Sequence, residues 1–368
     1  MITAKNRESG IETVKIIAIL LIIVSHVVQT YSSMNSALLN NATTNPRFFI
    51  LMIFMHLGIL GNCIFIICSS WFLIGSNKNN KKKILTFIVE IFVISIIIMI
   101  AFLILGINIG KKDILKSFFP TLFANNWYMT CYILFLMITP FLNMILDKIS
   151  KKQLLRFNLM AIILYWGISF IKSSFYTTNL LLFVTIFFIV SYFKKYCIGI
   201  VRNKKFNLKL LIISIIMFIA LIFFTNIFGL KLDFMSNKVL HWLRYNNPLL
   251  LIIAFSLFCI FKNMNFYNKK VNYIASLTLY IYIIHENILV RDYLRKDIWK
   301  WIGEKFTYNN IIIETLIYAV ILFIVSLIIS IIYKYTIKKI IDFVVEKIYN
   351  SKLKNIYKKI EKRLLEIE

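Results

Sequence analysis

The sequence predicts an all-α, polytopic membrane helix bundle. Of its 368 residues, 60% are hydrophobic and only 16% are charged, and the mean hydropathy is +0.79. Soluble domains average roughly 45–50% apolar and about 25% charged residues. Both departures point to a chain that spans a bilayer, and they exclude a soluble enzyme, a coiled coil and a disordered protein.

Long apolar runs predict about ten transmembrane helices within one domain, residues 1–334, because about 20 apolar residues cross the hydrocarbon core. The runs lie at 14–32, 48–74, 84–107, 122–146, 157–176, 178–197, 208–229, 246–263, 273–291 and 310–334. The fifth run is the weakest, since only a short polar turn separates it from the sixth. No small-residue cleavage site follows the first run, so we expect it to be retained rather than removed as a signal peptide.

The net charge of +27 reports orientation. In a soluble protein it would indicate nucleic-acid binding, but here no nucleic-acid partner is expected. With the N-terminus in the cytoplasm, the cytoplasmic loops and the C-terminal segment hold most of the 43 Lys and Arg residues. This distribution follows the positive-inside rule, so both termini are predicted to be cytoplasmic and the lipid bilayer is the expected environment.

Residues 335–368 predict a basic amphipathic tail helix. Its apolar residues recur three or four positions apart, or at multiples of that spacing: Ile341, Val345, Ile348, Ile356, Ile360 and Leu364. Lysines on the other faces are typical of a helix that lies on anionic cytoplasmic lipid. A solvated helix, or a coil that joins two copies of the chain, explains the pattern equally well, so formation of a homo-oligomer stays open.

The cysteines indicate neither a disulfide framework nor a metal site. Their number is odd, no CxxC pair occurs, and all five fall in or beside apolar runs: Cys63, Cys68, Cys131, Cys197 and Cys259. Such cysteines usually behave as small buried hydrophobic residues. No metal is therefore expected.

Lys15 and His26 are the most specific pair of ionisable residues near or inside the predicted spans. Eleven helical residues return to within about 20° of the starting direction and rise roughly 16 Å, so both side chains lie on one face. Glu12, one turn before Lys15, is predicted to pair with it. A donor with its phosphates on Lys15 would present a carbonyl near His26, the candidate general base. An interfacial anchor and a core histidine are the alternative interpretations.

Further candidates come from the outer half of the bundle. His285 and Glu286 are candidate catalytic residues, but as neighbours on one helix they should point about 100° apart and not share one surface. Tyr282, one turn before His285, is placed to orient it. Packing alone would explain His285 about as well, and it is the better explanation for His56.

Four segments together resemble the acyltransferase-3 family of membrane acyltransferases. Arg7–Lys15, followed ten residues on by His26, is similar to the family's opening motif in the first span. Ile64–Gly75, Asn126–Phe141 and Ser276–His285 resemble its segments in the second, fourth and ninth predicted spans, in the same order. The resemblance therefore covers nearly the whole chain.

The resemblance implies a bacterial plasma-membrane enzyme that transfers an acyl group, commonly acetyl, from acyl-CoA to a hydroxyl of a surface glycan or lipid-linked sugar. Lys15 and His26 would carry the essential roles, with acetyl-CoA as donor substrate and no tightly bound cofactor. Many members have Arg-x-x-Arg before the third span, where this chain has lysines. Lys82 and Lys83 are candidates to bind the donor phosphates as point charges without the guanidinium fork.

Aromatic and histidine side chains supply candidates for substrate binding: Trp127, Tyr128, Tyr282 and His56. Trp127 and Tyr128 carry N–H and O–H groups that suit an oxyanion. A transporter or flippase for polysaccharide or glycolipid is the rival function, although the inverted repeats and broken spans typical of transporters are not evident. A glycan polymerase or ligase would require a longer outer loop than the chain provides.

Overall fold

Apolar segments of this chain form long helices because a backbone in hydrocarbon must satisfy its own hydrogen bonds. The computed structural model describes residues 8–34, 46–76, 80–168, 178–231, 247–298, 301 and 310–350, and within these ranges no strand occurs. The helices are α1 (Ser9–Met34), α2 (Pro46–Leu73), α3 (Lys81–Ile104), α4 (Lys111–Phe118), α5 (Trp127–Lys148), α6 (Lys151–Ile162), α7 (Asn179–Tyr196), α8 (Ile198–Arg202), α9 (Lys204–Lys231), α10 (Pro248–Lys262), α11 (Lys269–Ala275), α12 (Thr278–His285), α13 (Ile311–Tyr335) and α14 (Ile337–Asn350).

Seven of the described helices are long and apolar enough to cross a membrane: α1, α2, α3, α5, α7, α9 and α13. The count rises to 8 if the bent pair Lys269–His285 and Val290–Ile298 forms one broken span. Helix α10 is apolar but has only 15 residues. Helix α6 continues into a π-helical turn at Ile163–Ile168, and the remainder of the fifth predicted span lies outside the described residues. The all-α, multi-pass class is confirmed.

Helix α1 lies at the centre of the bundle, in contact with α2, α10, α11, α12 and α13. Two glycines allow these close approaches. A Cβ at Gly61 of α2 would lie 2.5 Å from the carbonyl oxygen of Ala18, and a Cβ at Gly10 would lie 2.0 Å from that of Phe261. Small residues at helix contacts in membranes serve this purpose. The central position of α1 buries His26 inside the protein.

A sharp break follows α12. The helix ends at His285, and the next helical segment turns by 67°. Asn287 caps the new segment, because its side-chain oxygen accepts a hydrogen bond from the backbone N–H of Leu289 at 3.0 Å. The segment includes a π-helical stretch at Val290–Leu294. The bend turns residues after Glu286 back toward the end of α12.

Helix α14 is the described part of the predicted tail, and it packs against α3 and α13. Ile341 and Val345 of its predicted apolar face are buried in the core. Lys338 reaches the buried carboxylate of Glu90 at 2.7 Å, and Lys82 pairs with Glu346. Lys82 and Asn350 lower the pKa of the Glu346 carboxyl, so the ion pair persists to lower pH than an isolated carboxyl would allow.

The apolar face of α14 therefore contacts protein where the sequence suggested lipid. A second apolar surface on the same helix is exposed and consists of Ile340, Phe343 and Val344. Lipid contact is a prediction for that second surface. The rest of the tail, residues 351–368, lies outside the described part of the chain.

Candidate active site

Three ionisable side chains meet in the C-terminal half of α1. His26 Nδ1 lies 2.8 Å from Glu286 Oε2 and 3.1 Å from His285 Nε2. His285 is fully buried, and His26 and Glu286 are 9% and 6% exposed. Ionisable groups placed at this depth, with mutual hydrogen bonds, mark functional sites in membrane proteins.

The hydrogen bonds assign the protons. His285 Nδ1 lies 2.7 Å from the carbonyl oxygen of Ile281, which only accepts, so His285 carries its proton on Nδ1 and offers a lone pair at Nε2. His26 Nδ1 faces that lone pair and the Glu286 carboxylate, so the His26 proton lies on Nδ1. The lone pair of His26 is then on Nε2, which is the arrangement of a carboxylate-oriented general base.

Two arginines hold Glu286 in place. Arg295 Nη1 lies 3.3 Å from Glu286 Oε2, and Arg291 Nη1 lies 3.5 Å from Oε1. Arg295 is only 4% exposed, so its charge and that of Glu286 compensate each other in a buried setting. The sequence analysis missed both arginines. On a continuous helix Arg295 would lie nine residues, about 180°, away from Glu286, and only the bend brings them together.

The expectation that His285 and Glu286 face different surroundings is wrong. Both side chains contact the same nitrogen of His26. The 100° rule applies to consecutive residues of a continuous helix. Here α12 ends at His285, and Glu286 occupies its C-cap with non-helical torsions, so the rule fails at this position.

A cavity of about 170 Å³ lies between this cluster and the N-terminal end of α1. Lys15 and Ile22 of α1 line one side, and the remaining walls come from α2, α3, α5, α11 and α12: Asn62, Phe65, Ser69, Phe87, Tyr128, Tyr132, Ala275, Thr278, Leu279 and Tyr282. The predicted face of α1, with Lys15 below His26, therefore looks into a cavity. Most of the wall is apolar, so the cavity fits an apolar chain better than a charged group.

The three candidate donor-binding lysines, Lys15, Lys82 and Lys83, lie in two different places. Lys15 pairs with Glu12 at 3.1 Å, as its spacing predicted. Lys83 Nζ lies 3.2 Å from the hydroxyl of Tyr132, so Lys83 contacts a residue of the cavity that Lys15 lines. Lys82 points elsewhere, since its ammonium is held by Glu346 of the tail.

Of the aromatic candidates, Tyr128 and Tyr282 line the cavity. Trp127 begins α5 and packs edge-on against Tyr128 with ring centroids 5.8 Å apart. His56 is away from the cluster. It is buried with Nδ1 2.5 Å from the Met52 carbonyl oxygen, and its ring packs against Phe218 of α9. Its predicted role in substrate binding has no support in this position, and packing explains it.

His26, His285 and Glu286 also bring three metal-ligating atoms within 4.8 Å of one another. Their direct hydrogen bonds account for that proximity. The guanidinium of Arg295, 3.3 Å from Glu286, supplies a positive charge where a cation would otherwise be favoured. The cluster therefore fits proton transfer better than metal binding.

A family model described as an acyltransferase domain matches residues 8–335. The chain belongs to the acyltransferase-3 family. The match starts at Glu8 and ends at the last residue of α13, so it includes every side chain of the cluster and of the cavity. This acyltransferase-3 protein is accordingly a membrane acyltransferase in the general sense. No curated protein and no solved structure matches it.

Proposed function

We propose that this protein is an O-acyltransferase that moves an acyl group, in the first place acetyl, from cytoplasmic acyl-CoA to a hydroxyl of an extracytoplasmic polysaccharide or lipid-linked glycan. One observation carries the proposal: a histidine oriented by a buried carboxylate lies one helical turn beyond a cavity that begins at Lys15. A base at one end and a cation at the other suit a donor with a charged head and a reactive thioester tip.

The reaction divides between the two sides of the membrane. Lys15 and Lys83 bind the donor phosphates at the cytoplasmic opening, and the arm extends along the cavity toward His26. Nε2 of His26 takes the proton of the acceptor hydroxyl, whose oxygen attacks the thioester carbonyl. When the tetrahedral intermediate collapses, the C–S bond breaks, the imidazolium returns the proton to the leaving thiolate, and an ester and free CoA result.

Glu286 stabilises the imidazolium that forms during this cycle. Its carboxylate contacts His26 Nδ1 and keeps the proton there, so that Nε2 faces the acceptor. Arg295 and Arg291 fix the carboxylate, and His285 adds a second acceptor for the same Nδ1 proton. These residues orient His26, and in this scheme they do not touch the acceptor.

The topology belongs to the same proposal. About ten spans with both termini in the cytoplasm would put Lys15 on the inner side of a bacterial plasma membrane and His26 toward the outside. The polar outer ends of α1 and α12 would then face the acceptor. The described helices supply most of the required spans.

Replacement of His26 by alanine tests the proposal. We expect the O-acyl content of the surface glycan to fall by ~10²–10⁴-fold, the usual contribution of a general base. NMR of the isolated glycan measures the ester groups, and immunoblotting of membranes measures the protein. An acylated glycan in cells whose membranes hold normal amounts of the variant contradicts the assignment. Loss of glycan export in place of acylation would favour a transporter.

Two routes of acyl transfer fit this site. Direct attack by the hydroxyl leaves His26 unmodified. A relay would place the acyl group on His26 first. Mass spectrometry of the protein after incubation with acetyl-CoA and no acceptor reports the difference, because a relay adds an acetyl group to the peptide that contains His26.

A further inference from the structure

The inner end of the donor cavity lies just short of the base. Ile22 lines the cavity and precedes His26 by one helical turn, about 6 Å along α1. His26 itself is not among the lining residues. An acyl group at the inner end of the cavity would therefore lie about one helical turn from His26.

Two tyrosine rings form the wall at this end of the cavity. Tyr128 of α5 and Tyr282 of α12 meet edge to face, with ring centroids 5.6 Å apart at an interplanar angle of 65°. Phe183 of α7 supports Tyr128 from behind at 5.2 Å. On its other side Tyr282 meets the ring of His285 at 5.8 Å. Tyr282 therefore contacts both the cavity and His285, Tyr128 packs beside it, and both tyrosines are almost fully buried.

The cavity is small. Its volume of about 170 Å³ is below the roughly 300–1,000 Å³ of pockets that enclose drug-sized ligands. The nucleotide of a CoA donor must stay outside, near Lys15 and Lys83. The space inside suits the end of the arm with a short acyl group. Because packed interiors yield little, a longer chain meets the two rings.

We propose that Tyr128 and Tyr282 set the size of the transferred acyl group by closing the inner end of the donor cavity. The inference rests on the proposed function, since it takes acyl-CoA as the donor, and it deepens that function by restricting the donor to short acyl groups. The rings act through their bulk. A phenyl ring in place of either phenol keeps the restriction, and a small aliphatic side chain removes it.

The test measures binding of acetyl-CoA, hexanoyl-CoA and free CoA to the full-length protein in lipid nanodiscs. We expect the wild type to bind acetyl-CoA at least about tenfold more tightly than hexanoyl-CoA, since a single misfit methylene changes discrimination by about 10–200-fold. Tyr282→Ala and Tyr128→Ala should reduce that ratio to about one or reverse it. Tyr282→Phe and Tyr128→Phe should retain it.

Tyr132→Ala is the matched control. Tyr132 lines the same cavity beside Lys83 at the cytoplasmic opening, so its removal should change the affinity for all three ligands alike and leave the ratio unchanged. Among the Tyr128 and Tyr282 variants, binding of free CoA at the wild-type level identifies those that are folded, and Tyr282→Leu replaces the alanine variant if that one fails this criterion. For Tyr132→Ala, a thermal unfolding temperature like that of the wild type shows that the variant is folded.

Three results would overturn the inference. The first is equal affinity of the wild type for acetyl-CoA and hexanoyl-CoA. The second is a wild-type ratio of these two affinities in folded alanine or leucine variants. Both results refute only the role of the two rings and leave the assignment of acyl-CoA as the donor unaffected. If the wild type bound none of the three ligands, the donor assignment of the proposed function would fail, and this inference with it.

Discussion

Replacement of Glu286 by glutamine should slow acyl transfer without preventing donor binding. The amide retains the shape of the side chain but removes the charge that faces His26 Nδ1 at 2.8 Å. A hydrogen bond to a charged group contributes about 1.5–3 kcal/mol. If this contribution is realised when the imidazolium forms, the rate falls ~10- to ~150-fold, since ~1.36 kcal/mol is a factor of ten.

The assay is the rate at which ester groups appear on the acceptor glycan, followed by NMR and normalised to folded protein. Normalisation is needed because the substitution also leaves the buried Arg295 without its counter-ion, which costs about 3–5 kcal/mol of stability. Glu314→Gln is the matched control, because Glu314 is another buried glutamate, near the start of α13. A Glu286→Gln variant that keeps its rate within about twofold refutes the orienting role of the carboxylate.

Three further perturbations test the donor end and the packing. Lys15→Ala should raise the donor KM about tenfold with kcat nearly unchanged, because a phosphate contact is present in both ground and transition states; Lys15→Arg should restore binding. Gly61→Ala should lower the free energy of unfolding, measured by thermal unfolding, by about 1–3 kcal/mol, because its Cβ would lie 2.5 Å from the backbone of α1. Gly199→Ala has open space around its Cβ and should not lower it. Lys338→Ala should lower the free energy of unfolding by about 1–3 kcal/mol, because it leaves the buried Glu90 carboxylate on α3 without its cation. Replacement of the exposed neighbour Lys339 should change that free energy by less than about 0.5 kcal/mol.

The docked tail changes how the lysines before the third span are understood. On the sequence they form one basic cluster, where many members of the family have Arg-x-x-Arg. In the folded chain Lys82 is paired with Glu346 of α14, and Lys83 is left beside the cavity. The tail therefore gives Lys82 a counter-ion, while the adjacent Lys83 contacts a residue of the cavity wall.

Composition and periodicity were sufficient for the membrane class and for the face of α1. Lys15, Glu12 and His26 share that face because all three lie on one uninterrupted helix, where residue spacing fixes direction. The pairing of Glu12 with Lys15 needed no tertiary information for the same reason. At the ends and breaks of helices, residue spacing no longer predicts the direction of a side chain.

The site depends on such a break. His285 and Glu286 both contact His26 only because α12 ends between them and the chain bends by 67°. Arg295 reaches Glu286 through the same bend. Neither contact follows from residue spacing, because spacing fixes side-chain direction only along a continuous helix.

What the sequence determined by itself is a multi-pass helical protein with a cation and a histidine on one face of its first span. These properties are local, because they depend on apolar composition and on the pitch of a single helix. Only the tertiary structure decided which side chains surround that histidine, where the cavity lies, and which lysine the tail occupies. Those features depend on contacts between residues hundreds of positions apart, such as the 259 that separate His26 from His285, and no local pattern encodes them.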